Sequence, residues 1–178
     1  MKGIVFTEFL DMVEQKYGYE MVDGLLTESD LASGGAYTAI GTYSFQEMVS
    51  LLSNLSKRTE TDPNDLLHAF GEYIFHYFLK NYNTFFSSTT DAFQFLASIE
   101  NHIHIEVKKL YPDAELPTFV VHKSDAKAMS MEYHSERRMG YFALGLIESS
   151  LKHYHDPSEI IMTDISGDGQ VVKFDLIR

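Results

Sequence analysis

Three polar side chains spaced two residues apart, Tyr133, Ser135 and Arg137, offer the clearest chemistry in the sequence. In an extended chain, side chains at i, i+2 and i+4 emerge on one face, so two hydroxyls and a guanidinium would converge. All three groups donate hydrogen bonds, and arginine can do so in a bidentate manner. The pattern predicts an anion site suited to a dicarboxylate, and a solvated strand end is the alternative interpretation.

Histidines are the second source of chemistry, and two pairs of them are separated by a single residue. His102 and His104 lie in one predicted helix, and His153 and His155 lie at the end of another. Residues two apart on a helix point about 200° away from each other, so neither pair can chelate one metal ion. His104 adjoins an apolar stripe through Ile103, which would let it project into an apolar cavity. Metal ligation and simple packing are both open for His104.

The segment Asp164-x-Ser166-x-Asp168-Gly169, with Asp175 at the twelfth position, is superficially similar to a calcium-binding loop. Such loops lie between two helices, whereas predicted strands flank this segment. A hairpin turn is therefore the favoured interpretation. The sequence contains no phosphate-binding glycine loop, nucleophile elbow or paired-histidine zinc helix.

Composition narrows the class of protein. The chain has 178 residues, enough for one domain, and its 26 acidic against 14 basic residues leave a net charge of −12. This charge argues against nucleic-acid binding. The absence of cysteine excludes disulfides, iron–sulfur clusters and cysteine nucleophiles. No signal peptide or apolar run of membrane-spanning length is recognisable, which favours a cytoplasmic protein without membrane contact. The 13 Phe and 11 Tyr suit a core or a large flat apolar ligand.

Helical periodicity dominates the first two-thirds of the chain. A capping-box pattern at Ser44 and Glu47 predicts one helix start, and Asp62-Pro63 predicts another. Residues 28–41 are predicted to form a loop because they contain Gly34-Gly35. Further helices are predicted over residues 4–17, ended by Gly18, over about 19–26 and over about 91–110.

The last third changes to strand periodicity. Strands are predicted over 118–122, around 129–133, over 159–165 and over 170–177. Between the second and third of these, Ser135 is predicted to cap a long helix that carries Met139. The resulting fold class is α+β, in one domain over residues 1–178. A helical subdomain over about 1–60 precedes helices and an antiparallel sheet with one inserted helix over about 61–178.

The Tyr-x-Ser-x-Arg triplet, downstream of a helix with a lone histidine, resembles the heme-nitric oxide/oxygen binding family, the H-NOX domains. This family includes the heme domain of soluble guanylate cyclase. The resemblance extends over nearly the whole chain and includes further short matches: the opening Met-Lys-Gly, Phe9, Ala69-Phe70-Gly71, His104 seven residues before Tyr111, and Leu116-Pro117.

The resemblance implies heme b, iron protoporphyrin IX, with His104 as the axial iron ligand. Tyr133, Ser135 and Arg137 would hold the two propionates, and Pro117 would press on the porphyrin and distort it. His102 is the rival ligand, but the distance to Tyr111 in the family favours His104. The heme would lie between the helical subdomain and the sheet.

Gas selectivity follows from the residues expected on the distal side of the heme. Bound O₂ carries partial negative charge and gains from a hydrogen-bond donor, whereas NO binds ferrous iron well without one. Oxygen-binding members of the family supply a tyrosine five residues after the triplet arginine, and here that position is Phe142. The other expected lining residues are apolar: Val5, Phe9, Ile74 and Leu146. The resemblance thus implies a sensor that binds NO and CO and excludes O₂.

The chain is expected to be a sensor and not an enzyme. NO would weaken the bond to His104, and the resulting movement would reach a separate protein, such as a histidine kinase or a diguanylate cyclase or phosphodiesterase that acts on cyclic-di-GMP. Two alternatives remain from the residues. One is a heme carrier or apolar-ligand module. The other is a metal-dependent enzyme that uses His104 with Glu106, or His155 with Asp156.

Overall fold

The protein contains helices and one four-stranded sheet, as a computed structural model of all residues, Met1–Arg178, describes it. The chain divides into two compact units, Met1–Phe70 and Gly71–Arg178. The division falls inside one long helix, α4, which runs over Pro63–Asn81. None of the helices has both the length and the apolar character needed to cross a bilayer.

The first unit is helical. Its elements are α1 (Gly3–Tyr17), α2 (Tyr19–Glu28), α3 (Phe45–Thr59) and the beginning of α4. Gly18 separates α1 from α2 with a φ of 86°, a left-handed conformation that glycine adopts without strain. The predicted helices and the loop before α3 are confirmed. Asp62 starts α4 as expected, since its Oδ1 accepts a hydrogen bond from the Asn64 N–H at 2.8 Å.

Aromatic rings fill the centre of the first unit. Phe6 and Phe9 are fully buried on α1. The Phe6 ring stacks on Tyr37 with centroids 4.5 Å apart, and the Phe9 ring meets Phe70 edge-on at 5.3 Å. These contacts fix the face of α1 that the sequence periodicity predicts to be buried.

The predicted capping box at the start of α3 is wrong in its second half. Ser44 accepts a hydrogen bond from the Gln46 N–H at 3.2 Å, as an N-cap should. Glu47, however, is buried, and its carboxylate accepts hydrogen bonds from the hydroxyls of Ser33 at 2.5 Å and Tyr37 at 2.7 Å. The carboxylate thus connects the preceding loop to α3, whereas a capping box would direct it to the Ser44 N–H at the start of the helix.

In the second unit, the helix predicted over residues 91–110 is divided into three parts. Helix α6 (Ala92–Ser98) leads into a π-helical segment (Ile99–Ile103), and α7 (His104–Leu110) follows. A short helix, α5 (Asn83–Phe86), precedes them and was not predicted. The π segment inserts one residue into the helical repeat, so the apolar stripe does not continue in phase, and Leu110 is exposed.

The four strands are β1 (Thr118–Ser124), β2 (Ala128–His134), β3 (Glu159–Asp164) and β4 (Val171–Ile177). They form one antiparallel sheet in the order β1-β2-β4-β3, and helix α8 (Gly140–His153) is inserted between β2 and β3 in sequence. This confirms the predicted α+β class. One face of the sheet is buried through Met129, Met131, Tyr133, Val172, Phe174 and Leu176.

Helices α4 and α8 approach closely at Gly71. A Cβ at this position would lie 2.2 Å from the carbonyl oxygen of Phe142 and 3.1 Å from Cα of Gly145. The first distance is far below a normal contact and the second is tighter than most, so only glycine lets the two backbones come this near. The position of Phe142 in the second unit therefore depends on a residue without a side chain.

Arg178, directly after β4, ties three segments of the second unit together. Its Nη2 lies 2.6 Å from the carboxylates of both Asp91, the N-cap of α6, and Asp156, which follows α8. Its guanidinium also lies 3.9 Å from the centre of the Phe93 ring. We call this cluster the Arg178 clasp.

Candidate heme-binding site

Tyr133 lies at the buried face of β2, one residue before the strand ends. Its phenolic oxygen accepts a hydrogen bond from the Met139 N–H at 3.1 Å. Burial raises the pKa of Tyr133 despite the hydrogen bond from Ser135 and the charge of Arg137, so the phenol keeps its proton. A neutral phenol here can still donate a hydrogen bond to an anion.

Ser135 and Arg137 do not continue the strand, contrary to the predicted extended geometry. Strand β2 ends at His134, and the chain turns, with the Arg138 N–H bonded to the Ser135 carbonyl at 3.2 Å. Ser135 Oγ accepts a hydrogen bond from the Arg137 N–H at 3.2 Å. It therefore caps this turn and not α8, which starts at Gly140 without a side-chain cap. The turn, and not strand alternation, brings the triplet together.

Arg137 is paired with Glu115, a partner that the sequence analysis missed. Its Nη2 lies 2.5 Å from the Glu115 carboxylate, and its Nη1 donates to the Glu115 carbonyl oxygen at 2.7 Å. The Arg137 side chain is 18% exposed, whereas that of Glu115 is 82% exposed. A half-buried cation with an exposed carboxylate partner is a site where another carboxylate can replace the first.

His104 is the first residue of α7 and directly follows the π segment. Its side chain is 13% exposed, and its Nδ1 lies 3.2 Å from Glu100 Oε2. Burial lowers the pKa of His104 more than the Glu100 carboxylate raises it, which favours the neutral imidazole that binds metal. With Nδ1 engaged by Glu100, Nε2 is the nitrogen suited to ligate an ion.

Phe119 connects the histidine to the triplet. Its ring centre lies 5.9 Å from that of His104 and 5.7 Å from that of Tyr133, its register partner across β1 and β2. The Phe119 N–H also donates to Glu100 Oε2 at 3.0 Å. Neither Glu100 nor Phe119 was predicted. The contact between Phe119 and Glu100 joins residues 19 positions apart, whereas Glu100 lies four residues before His104, a spacing that could have indicated this pair.

The remaining predicted residues are distributed over both units. Pro117 is half-buried and lies directly before β1. On α8, Phe142 and Leu146 are half-buried, and on α4 Ile74 is fully buried. Val5 and Phe9 belong to α1 in the first unit.

The rival sites are disfavoured by contacts of their own. Glu106 is bonded to Lys109 at 2.5 Å, and Asp156 to Arg178, so each of these carboxylates already has a cationic partner. His102 is exposed in the π segment. The calcium-like segment is the predicted β3–β4 hairpin, where Asp164 accepts hydrogen bonds from its own turn, at the N–H groups of Gly167 and Gly169.

Comparison with known proteins decides the family. The model of the Haem-NO-binding family matches residues 2–162. The chain belongs to this family. Its members are sensor domains and not enzymes, which confirms the expected class. Among curated proteins, none matches the chain.

Solved H-NOX structures agree with this assignment. The H-NOX protein from K. algicida, in its unliganded Fe(II) form, is 50% identical over 99% of this chain and 96% of its own, with a TM-score of 0.96. The H-NOX from Shewanella woodyi, in the Fe(II)CO state, is 32% identical over 100% of this chain and 94% of its own, with a TM-score of 0.84. An H-NOX protein from S. oneidensis in the Fe(II)NO state shares the fold at 23% identity and a TM-score of 0.87, over 99% of this chain and 98% of its own.

Proposed function

We propose that this H-NOX protein binds heme b through Nε2 of His104 and senses NO. The observation that carries the proposal is the half-buried imidazole of His104, whose Nδ1 is already held by Glu100 and whose pKa is lowered by desolvation. The K. algicida relative contains Fe(II), and the S. woodyi relative carries CO on Fe(II). A bound ferrous heme would supply an iron that takes NO or CO as a ligand.

The donor set at the end of β2 fits the two propionates of a heme. Tyr133 and Ser135 offer hydroxyls, and Arg137 offers a guanidinium that is largely buried. A propionate would replace the Glu115 side chain, which is mostly in solvent and loses little by leaving. The Glu115 carbonyl would keep its bond to Arg137, and that bond holds the segment that leads into Pro117.

Exclusion of O₂ is proposed from the absence of a suitable donor on α8. Phe142 has no polar atom, and its neighbour Tyr141 is 38% exposed. Without a donor, bound O₂ loses the hydrogen bond that stabilises its negative charge, whereas NO and CO lose little. Val5, Phe9, Ile74 and Leu146, the other residues proposed for this side, are apolar as well.

Signalling is proposed to start at His104. Bound NO would weaken or break the bond between His104 and the iron, and α7 would then be free to move relative to the π segment. A partner protein that binds the two positions with different affinity would read the change. We propose a histidine kinase or an enzyme of cyclic-di-GMP metabolism as this partner.

The visible spectrum of the reduced, hemin-reconstituted protein under argon, air, CO and NO tests the proposal. We expect a spectrum that air leaves unchanged and that CO and NO shift. A stable oxygen complex would contradict O₂ exclusion, and a protein that stays colourless with hemin would contradict heme binding.

Phe142→Tyr is expected to favour an oxygen complex, with Tyr141→Phe as the matched control without effect. NO must also change the activity of the partner protein. A heme carrier without a signalling role would leave that activity unchanged when it binds NO.

A further inference from the structure

One carboxylate oxygen in the second unit joins the candidate axial histidine to the sheet. Oε2 of Glu100 lies 3.2 Å from Nδ1 of His104 and accepts the Phe119 N–H at 3.0 Å. We propose that Glu100 is a positioning residue, which fixes the His104 imidazole and strengthens the bond that Nε2 makes to iron. This inference rests on the proposed heme ligation by His104.

The backbone around Glu100 explains why the carboxylate reaches both partners. Glu100 lies in the π segment, and the His104 N–H bonds to the Ile99 carbonyl, five residues earlier. This widened turn separates Glu100 from His104, and the π segment lies against β1. The Phe119 N–H donates to the Glu100 carboxylate from the strand side. The backbone of β1 therefore helps to hold this carboxylate in place beside His104.

The contact between Glu100 and His104 would act through the basicity and orientation of the metal-bound imidazole. A carboxylate that accepts the Nδ1–H makes the opposite nitrogen more basic and fixes the plane of the ring. A more basic ligand stabilises the ferric over the ferrous state and resists loss of the iron bond. Glu100 would thus set how readily NO displaces His104, although it touches no heme atom.

The test uses Glu100→Gln, which keeps an oxygen acceptor and removes the charge. The matched control is Glu106→Gln, which removes the same charge two residues beyond His104, where the carboxylate pairs with Lys109. We expect Glu100→Gln to lower the Fe(II)–His stretching frequency in resonance Raman spectra, to raise the midpoint potential and to lower heme affinity about 10-fold. Glu106→Gln is expected to match the wild type in all three.

Unchanged stretching frequency and potential in Glu100→Gln would overturn the inference. If this variant fails to retain heme, the unfolding free energy of the apo-protein decides between the two roles. An apo-protein as stable as the wild type supports a role toward the imidazole, and a destabilised one shows that Glu100 only ties the π segment to β1. If the wild type itself binds no heme, the proposed function fails before Glu100 is tested.

Discussion

The two compact units use their charged groups differently. Met1–Phe70 buries the carboxyl groups of Glu8 and Glu47 within a helical unit. Gly71–Arg178 places acidic side chains in ion pairs with arginine, such as Glu115 with Arg137 and, in the Arg178 clasp, Asp91 and Asp156 with Arg178. Every polar residue proposed to hold the heme belongs to this second unit, and the first offers only the apolar Val5 and Phe9. The polar residues proposed to bind the heme thus lie in the second unit, and the buried acids Glu8 and Glu47 lie in the first.

The sharpest test of this separation is His104→Gly. Because no other imidazole is proposed as a ligand, we expect the variant to lose heme almost completely and to regain it when imidazole is added. The Soret absorbance per protein measures retention. His102→Gly, an exposed neighbour, is the control and should retain normal heme. Normal heme content in His104→Gly would refute the ligand assignment.

Arg137→Ala should have the next largest effect. The loss of a charge-assisted hydrogen bond to a propionate, worth about 1.5–3 kcal/mol, is expected to speed heme dissociation about 10-fold or more. Transfer of heme to a scavenger protein measures the rate. Glu115→Ala removes only the exposed competitor and should not speed dissociation. Equal rates in Arg137→Ala and wild type would remove Arg137 from the site.

Gly71→Ala tests the packing of the second unit without changing a charge. The added methyl would collide with the Phe142 carbonyl, so α4 and α8 must move apart. We expect the free energy of unfolding to fall by about 1–3 kcal/mol, as measured by denaturant titration. A shift in the CO-bound spectrum would accompany it if Phe142 faces the ligand. Unchanged stability would show that the helices separate without strain.

The smallest expected effect lies in the first unit, at Glu8. Burial, together with the nearby charge of Asp11, raises the pKa of Glu8 from 4.5 to about 7. The folded protein therefore holds a proton that the unfolded chain releases near pH 4.5, and stability falls as the pH rises from about 4.5 to about 7. Glu8→Gln should remove this fall and stabilise the protein above pH 7 by about 1–2 kcal/mol.

Urea titrations at pH 5 and pH 8 measure this difference, with the exposed Glu14→Gln on the same helix as control. Heme dissociation should be the same in Glu8→Gln and wild type. A pH dependence that persists in Glu8→Gln would place the titrating group elsewhere, and faster heme loss would contradict the separation of roles between the units.

Much of the fold follows from local patterns in the sequence. The apolar spacing of α1, the N-cap at Asp62 and the alternation of β2 are each decided by neighbouring residues, and each prediction was confirmed. The π segment was missed because the sequence keeps apolar residues three and four positions apart from Leu96 to Leu110, a spacing that an uninterrupted α-helix also shows. Ser135 was wrongly placed as a helix cap, because a serine that caps a turn has the same sequence signature.

The candidate site was only partly predictable for a different reason. His104 and the triplet were found from residue types and from resemblance to the family. Glu115 binds Arg137 across 22 positions and the Phe119 N–H binds Glu100 across 19, and no local pattern marks these two contacts. Long-range partners of this kind are set by the tertiary fold and become visible only with it. The contact between Glu100 and His104 spans only four positions, a helical spacing that the sequence does contain.

The Arg178 clasp determines where the segment from Asp91 to Leu110 can bend. Its first residue is fixed by an ion pair and its first turn by the guanidinium over Phe93, whereas its last residue, Leu110, is exposed. The segment is thus held at its start by the clasp and at Glu100 by the Phe119 N–H. We expect a displacement of His104 to move the residues up to Leu110 and to leave the first turn of α6 in place.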